Sequence, residues 1–362
     1  MSTFEVRIRK IDNVEIHPNA DALDLAVIGG YRAVVKRNEF KPGDLALYIP
    51  TDSLFTDISI AERLGIAPYL TGKNRNRVKV VRLRGSLSEG IVVPINKLIK
   101  YILNISELQD VSYILNFPKE GDDWTEALKV EKYEEPIPII MQGKVRPWPS
   151  FLCKYDVENI KKSESLNAMI PEEEVIGTEK MHGSNLAVSV DIENDFKVYV
   201  CSRNNALEED DQNIYWKTAK KYGLIDRLMQ FAVLHKDTAK YVSLHGELIG
   251  VQDMRYGYSN GDTGFYAFDI RINNEFVDYD RFNVICLRLD IPMVPVLYRG
   301  PFDYDKIHEI DHGQSLIYPG HIREGTVIRP VKERYDQIAG RVQFKFVSED
   351  YLTRKGNTTE FH

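Results

Sequence analysis

The chain has 362 residues, 43% of them hydrophobic and 28% charged, with a formal net charge of −7 at pH 7. That composition belongs to a globular protein long enough for two domains. It excludes a general electrostatic attraction to nucleic acid, so any such binding has to come from local basic patches. No stretch approaches the roughly 18 uninterrupted apolar residues of a membrane helix, and "MSTFEVRIRKID" lacks the apolar segment of a secretory signal. Three widely separated cysteines, Cys153, Cys201 and Cys286, suit a reducing compartment and argue against a disulfide scaffold or zinc site. The expected setting is intracellular, cytoplasmic or nuclear, with no membrane and no secretion.

The first segment reads as short strands and turns. "FEVRIRKI" alternates, "LDLAVIGGYRAVV" predicts two strands about a Gly-Gly turn, and "KPGDLALYIP" places a turn before another strand. "RVKVVRLRG" and "GIVVP" follow, each bounded by glycine or proline. Such a run of short strands predicts a small barrel or sandwich, with an OB-fold the natural candidate. Within it, "TGKNRNRVKVVRLRG" places Lys73, Arg75, Arg77 and Lys79 on one face at period two, and Arg82 and Arg84 resume after a change of phase. These cations form a candidate phosphate-binding stripe for RNA. A solvated hairpin face is the plainer reading, and the lack of interleaved aromatics argues against base stacking.

The prolines of "EEPIPIIMQGKVRPWPS" predict an extended linker over 134–150, which separates a domain at 1–133 from one at 151–362. The second domain alternates strand-like segments with helical ones and is therefore α+β. Its clearest helical stretch is "NIYWKTAKKYGLIDRLMQFAVLH", where Ile225, Leu228, Met229 and Ala232 recur at helical spacing.

Within that domain, "VIGTEKMHGSNLAVSV" sets Lys180 where two apolar strands converge, among Glu179, His182, Ser184 and Asn185. Further on, "CSRNN", "SLHGELIG", "GFYAFDI", "HIREGTVIRP" and "VQFKFVS" each join strand-like residues to an isolated polar group. Singly, Arg203, Glu247, Glu324 and Lys345 read as ordinary surface charges. Together and in this order they resemble the covalent nucleotidyltransferases, the polynucleotide ligases and mRNA capping enzymes. "EKMHG" resembles the nucleophile motif Lys-x-(Asp/His/Asn)-Gly, and the histidine followed by "GSN" is similar to RNA ligases. "VEIHPNADALDLAVIGGY" resembles the opening of OB modules that bind structured RNA. An OB module in front of the motifs resembles the ATP-dependent RNA ligase family with an N-terminal OB domain.

The resemblance implies an α+β fold: a small N-terminal OB-fold β-barrel, then an adenylyltransferase domain of antiparallel sheets with flanking helices. It implies an enzyme that joins RNA 3′-OH and 5′-phosphate ends, as at a nick in a duplex, through lysyl-AMP and RNA-adenylate. ATP is the implied AMP donor, Mg2+ or Mn2+ the implied metal, and a monomer the expected state. Lys180 is the implied nucleophile, favoured in its neutral form by burial and neighbouring cations, with Lys345 neutralising the α-phosphate. His182, Glu247 and Glu324 are the implied metal residues. Glu179, Asn185, Arg203, Glu247, Phe268, Val327, Arg329 and Lys345 are the implied ATP contacts, Phe268 and Val327 covering the two faces of the base. Relatives carry an arginine where Asn159 stands, which leaves Lys161 and Lys162 as candidates for its place. A DNA ligase, a capping guanylyltransferase and a non-catalytic RNA-binding protein are the rival readings.

Overall fold

The structure, a computed structural model, describes residues 4–105, 118–134 and 142–354. The chain divides into two compact units, one over residues 2–135 with Lys161–Ser163 and the other over 136–160 and 164–357. No helix among the described residues is long and apolar enough to cross a membrane.

The N-terminal unit contains β1 (Arg7–Lys10), β2 (Asn13–Ile16), β3 (Leu23–Ile28), β4 (Tyr31–Lys36), β5 (Leu45–Ile49) and β6 (Ser53–Phe55). Helix α1 (Ile58–Arg63), strands β7 (Val81–Leu83), β8 (Ser86–Ser88) and β9 (Ile91–Pro94), helix α2 (Ile95–Ile105) and β10 (Val130–Lys132) follow. Two three-stranded antiparallel sheets, β1-β5-β9 and β2-β3-β4, are joined by the pairs β7-β8 and β6-β10. Ile8, Leu47, Ile49 and Val93 pack with Ile60, Leu64 and Leu98 into one buried cluster. The β3–β4 turn needs its glycine, because Gly29 takes φ +59°.

This unit corrects the basic stripe. Residues 73–79 contain no strand, and Arg75 turns the chain at φ +49°. Period-two alternation therefore fails there. Arg77 is buried: it donates from Nε to Asp52 at 2.8 Å and its guanidinium lies 3.5 Å from the centre of the Tyr133 ring. Lys73, Arg75, Arg82 and Arg84 are exposed and Lys79 is half-buried. The histidine of "HPNAD" has a visible job. His17 Nε2 meets the Leu83 carbonyl at 3.1 Å, and Asn19 donates to the Arg84 carbonyl at 3.1 Å. These contacts pin the β7–β8 hairpin that carries Arg82 and Arg84. Lys161 belongs to this unit too, with Nζ 2.6 Å from Glu89.

The second unit has β11 (Val145–Arg146), β12 (Glu158–Asn159), α3 (Ser163–Ala168), β13 (Glu174–Lys180), β14 (Ser184–Asp191), β15 (Lys197–Cys201) and β16 (Ala206–Leu207). Then come α4 (Ile214–Lys221), α5 (Leu224–Leu234), β17 (Tyr241–Ile249), β18 (Gly264–Ile272), β19 (Glu275–Phe276), α6 (Tyr279–Arg288), β20 (Val296–Pro301) and α7 (Tyr304–Ile310). The last elements are β21 (Gly325–Pro330), β22 (Tyr335–Asp336), β23 (Gly340–Arg341), β24 (Phe344–Val347) and α8 (Glu349–Leu352). A seven-stranded sheet runs β11-β16-β15-β14-β17-β18-β19, and a five-stranded one runs β12-β24-β21-β13-β20.

Alternation decides which way each sheet faces. Leu186, Val188, Val190, Leu244, Leu248 and Phe265 pack against residues of α4, α5 and α6. In the five-stranded sheet, Val175, Ile328, Phe344 and Phe346 pack with Ala168 and Ile307. The opposite face of each sheet keeps its polar residues. The helix expected over 213–235 is two helices, because Gly223 takes φ +58° between them. Asn213 caps the first by accepting from the Tyr215 and Trp216 amides. Of the expected linker, 135–141 lies outside the described residues, whereas Val145–Arg146 pairs with β16 as an edge of the larger sheet.

Arg77→Met is expected to destabilise the N-terminal unit by about 3–5 kcal/mol, since it leaves the Asp52 carboxylate buried and unbalanced. Arg75→Met should change little. Denaturant unfolding of both variants checks the contrast.

Candidate active site

Lys180 ends β13, directly opposite Gly325 on β21. Its Nζ lies 2.5 Å from Glu324 Oε1, with the two side chains 13% and 1% exposed. Close backbone approach fixes this corner. A Cβ on Gly183 would sit 2.2 Å from the Leu248 carbonyl oxygen, and one on Gly325 would sit 2.0 Å from that of Phe346. Any side chain at either position would push the strands apart. The Lys180–Glu324 pair also alters the expectation for the nucleophile. Burial opposes the charged amine, but a carboxylate in contact favours it.

The register orders the rest of this wall. Asn159, Lys345, Val327, Thr178 and Val296 form one row across β12, β24, β21, β13 and β20. Lys180 lies two residues beyond Thr178, hence on the same face as Val327 and Lys345. Lys345 is buried. Asn159 is the register neighbour of Lys345.

On the other sheet, Asn185, Glu247 and Tyr266 form a row across β14, β17 and β18. All three are half-buried. Phe268, also half-buried, packs at 4.7 Å between ring centres on Tyr155. Glu179 is 1% exposed; its Oε2 accepts from the Leu316 amide at 2.8 Å, while Oε1 is buried without a hydrogen-bond partner. Burial raises its carboxyl above the usual range, against the Ser315 hydroxyl and Leu316 amide that lower it. Arg203 is exposed and meets Asp156 at 2.7 Å.

Two expected site residues are engaged by other protein groups. His182 has both ring nitrogens engaged, Nε2 with Asp253 Oδ1 at 2.7 Å and Nδ1 with the Tyr351 hydroxyl at 2.8 Å. That leaves no lone pair for a metal. Partial burial works against the Asp253 carboxylate, yet His182 and Arg354 hold it down to about 2. Arg329 is 4% exposed and meets Asp269 at 3.0 Å and Glu333 at 2.8 Å. Arg341 joins the same two carboxylates at 2.7 Å each, and Tyr155 donates to Asp269 at 2.7 Å. Arg329 therefore ties the two sheets together beneath the facing polar rows, and its charge is balanced there. Burial pushes Asp269 upward, but Arg329 and Arg341 outweigh it and lower the carboxyl. Sequence reasoning missed Tyr155, Asp253 and Tyr351. Tyr155 and Tyr351 lie outside the motif cores, and Asp253 follows "HGELIG" without a pattern of its own.

Residues 173–347 match the RNA ligase family, and residues 5–95 match an OB-fold domain family. Residues 173–347 are thus a domain of the RNA ligase family, preceded by an OB-fold domain. The chain is an enzyme of that class, and the OB-fold domain followed by an α+β catalytic domain is as its motifs led us to expect. Its fold matches Naegleria gruberi RNA ligase with PPi at a TM-score of 0.77 and 24% identity, covering 97% of this chain and 98% of that one. Mutants of the Naegleria ligase with ATP and Mn, and with AMP and Mn, match at TM-scores of 0.77 and 0.78, with the same identity and coverage. Comparison with curated protein sequences gives no match.

His245, the histidine of "HGELIG", generates a pH prediction for this ligase. It is 2% exposed, neither ring nitrogen has a hydrogen-bond partner, and its ring packs 5.2 Å from that of Tyr155. Burial pushes its pKa down to about 4, with Asp269 opposing and Arg341 and Arg271 assisting. The folded value lies below the unfolded one, so the neutral ring stabilises the fold above the unfolded value. That stability is lost as pH falls through the folded value. Between about pH 7 and pH 4 the loss should be about 3 kcal/mol. Denaturant unfolding at both pH values should show a correspondingly smaller loss for His245→Gln.

Proposed function

We propose that this RNA ligase uses ATP and that Lys180 carries the AMP. The observation that supports it best is Lys180 Nζ held 2.5 Å from buried Glu324, on the sheet face that also carries Val327 and Lys345. In the first step the lysine nitrogen attacks the α-phosphorus; the P–N bond forms and the bond to pyrophosphate breaks. Only a neutral amine attacks, and Glu324 is the carboxylate placed to take its proton. Lys345 adds positive charge where the phosphate gains negative charge. AMP then passes to an RNA 5′-phosphate, and a 3′-OH displaces it. Naegleria gruberi RNA ligase structures with ATP and Mn, AMP and Mn, and PPi support the same ligands for this chain.

Glu324 and Glu247 offer the hard oxygen donors that suit Mg2+ or Mn2+, and His182, with both nitrogens engaged, does not join them. Such a cation, when bound, would neutralise triphosphate charge. Phe268 and Val327 supply apolar faces for adenine. Glu179 Oε1 supplies a buried acceptor for its amino group, and leaving such an acceptor unpaired costs about 1–3 kcal/mol. Asn185 is assigned to the sugar and Arg203, whose exposed pair with Asp156 is weak, to phosphate. Arg329 drops out of this set, as does Lys161, which meets Glu89.

The polynucleotide is read as RNA with 3′-OH and 5′-phosphate ends at a nick, sealed by a monomer in an intracellular compartment. The exposed cations Lys73, Arg75, Arg82 and Arg84 would engage its phosphates without regard to sequence.

Incubation with α-labelled ATP and magnesium should label the protein, and Lys180→Ala should abolish the label; a label retained in that variant overturns the assignment. Glu324→Ala and Glu247→Ala should slow labelling by more than about tenfold, equivalent to about 1.4 kcal/mol of barrier.

Replacing Lys73, Arg75, Arg82 and Arg84 by alanine should leave labelling unchanged. Sealing of a nicked duplex should fall, and binding should depend less steeply on salt. Labelling and sealing lost in equal proportion would show that these cations do not act on RNA alone.

A further inference from the structure

The sequence "HEIDH" at 308–312 is used by none of the chemistry above. Helix α7 ends at Ile310, and its cap residue Asp311 keeps helical angles, φ −70° and ψ −22°. Residues three and four positions apart on a helix share one side. His308, Asp311 and His312 are accordingly brought together, and one ligand atom of each lies within 4.8 Å of the other two.

Asp311 is 1% exposed and sits between the two imidazoles: Oδ2 is 2.9 Å from His308 Nδ1, and Oδ1 is 3.1 Å from His312 Nε2. The second contact is not a hydrogen bond. Oδ1 is buried and has no hydrogen-bond partner, although a ring nitrogen is within reach. A buried carboxylate oxygen left in that state is unfavourable, because it has given up water without gaining a partner. Nitrogen and oxygen donors held about 2.0–2.2 Å from a common tetrahedral ion lie about 3.4 Å apart, so the contacts of 2.9 and 3.1 Å need to open by only a few tenths of an ångström to admit one.

We propose that His308, Asp311 and His312 bind a transition-metal ion of the zinc class. Two imidazoles and a carboxylate suit zinc and its neighbours and leave a position for water. Mg2+ prefers all-oxygen surroundings and suits the Glu247 and Glu324 carboxylates instead. The two histidine side chains are 39% and 37% exposed, so an ion can reach them. Asp350 Oδ2 lies 3.9 Å from His312 Nδ1, on the far side of that ring.

The ion would brace the loop that follows. Arg323 gathers the carbonyls of Ile310, His312 and Gln314, and the Leu316 amide then donates to Glu179. The site is therefore a structural staple four residues upstream of Leu316, whose amide holds Glu179.

Cobalt(II) provides the test, added to the full chain after chelation and dialysis. Wild type should take up a single ion with visible ligand-field bands, displaced by zinc but not by magnesium. His308→Ala/His312→Ala should lose the bands and bind zinc weaker by about tenfold or more, with an unchanged far-ultraviolet circular dichroism spectrum. His312→Gln, a milder change, should weaken zinc binding in the same direction. Glu324→Ala should keep the bands. Absence of bands in wild type, or equal bands in the double variant, would mean that the histidines merely contact Asp311 and would overturn the proposal. Loss of the bands in Glu324→Ala would overturn it too, by placing the ion elsewhere.

Discussion

The contact between Lys180 and Glu324 sets the terms for everything around it. Lys180, whose amine must be neutral for the role proposed above, is held against a carboxylate that favours its charged form, and both side chains are largely withdrawn from water. Outside water such a pair is strong. The nucleophile proposed above is thus restrained in the free protein, and its attack requires that the pair be opened and the proton moved. Nothing in the motif "EKMHG" announces this restraint, because the partner lies 144 residues further along the chain.

Holding that pair in register is the task of the two sheets. Gly183 and Gly325 let backbones meet at distances that no side chain permits. Helices cover the outer faces with apolar packing, so the inner faces are left for polar groups. Beneath them, Asp269 and Glu333 balance Arg329 and Arg341, joining β18 to β21. Removing one member of such a buried set leaves an uncompensated charge, which is far costlier than losing a surface pair. The basic residue of the fourth motif is better understood as this strut than as a ligand contact.

Much of this was legible in the sequence because it is local. Alternation and turn glycines marked the β3–β4 hairpin, and the order of the motifs marked the strands that carry Lys180, Glu247, Phe268, Val327 and Lys345. Long-range pairing was not legible. Arg77 looked like one of a row of cations, yet Asp52 and Tyr133 draw it inside. His182 looked like a ligand, yet Asp253 and Tyr351, 71 and 169 residues away, occupy its ring. Gly223 was visible, but helical spacing on both sides hid that it splits the helix. In each case a charge or a φ angle is set by a partner that no local window contains.

Reactivity of the Lys180 amine in the free protein tests the central claim most directly. A small acylating reagent, applied near neutral pH without nucleotide or metal and followed by mass spectrometry of the Lys180 peptide, compares wild type with Glu324→Gln. Removing the carboxylate's charge should make Lys180 react faster, while lysines outside the site react at unchanged rates. Equal rates at Lys180 in the two proteins would contradict the account.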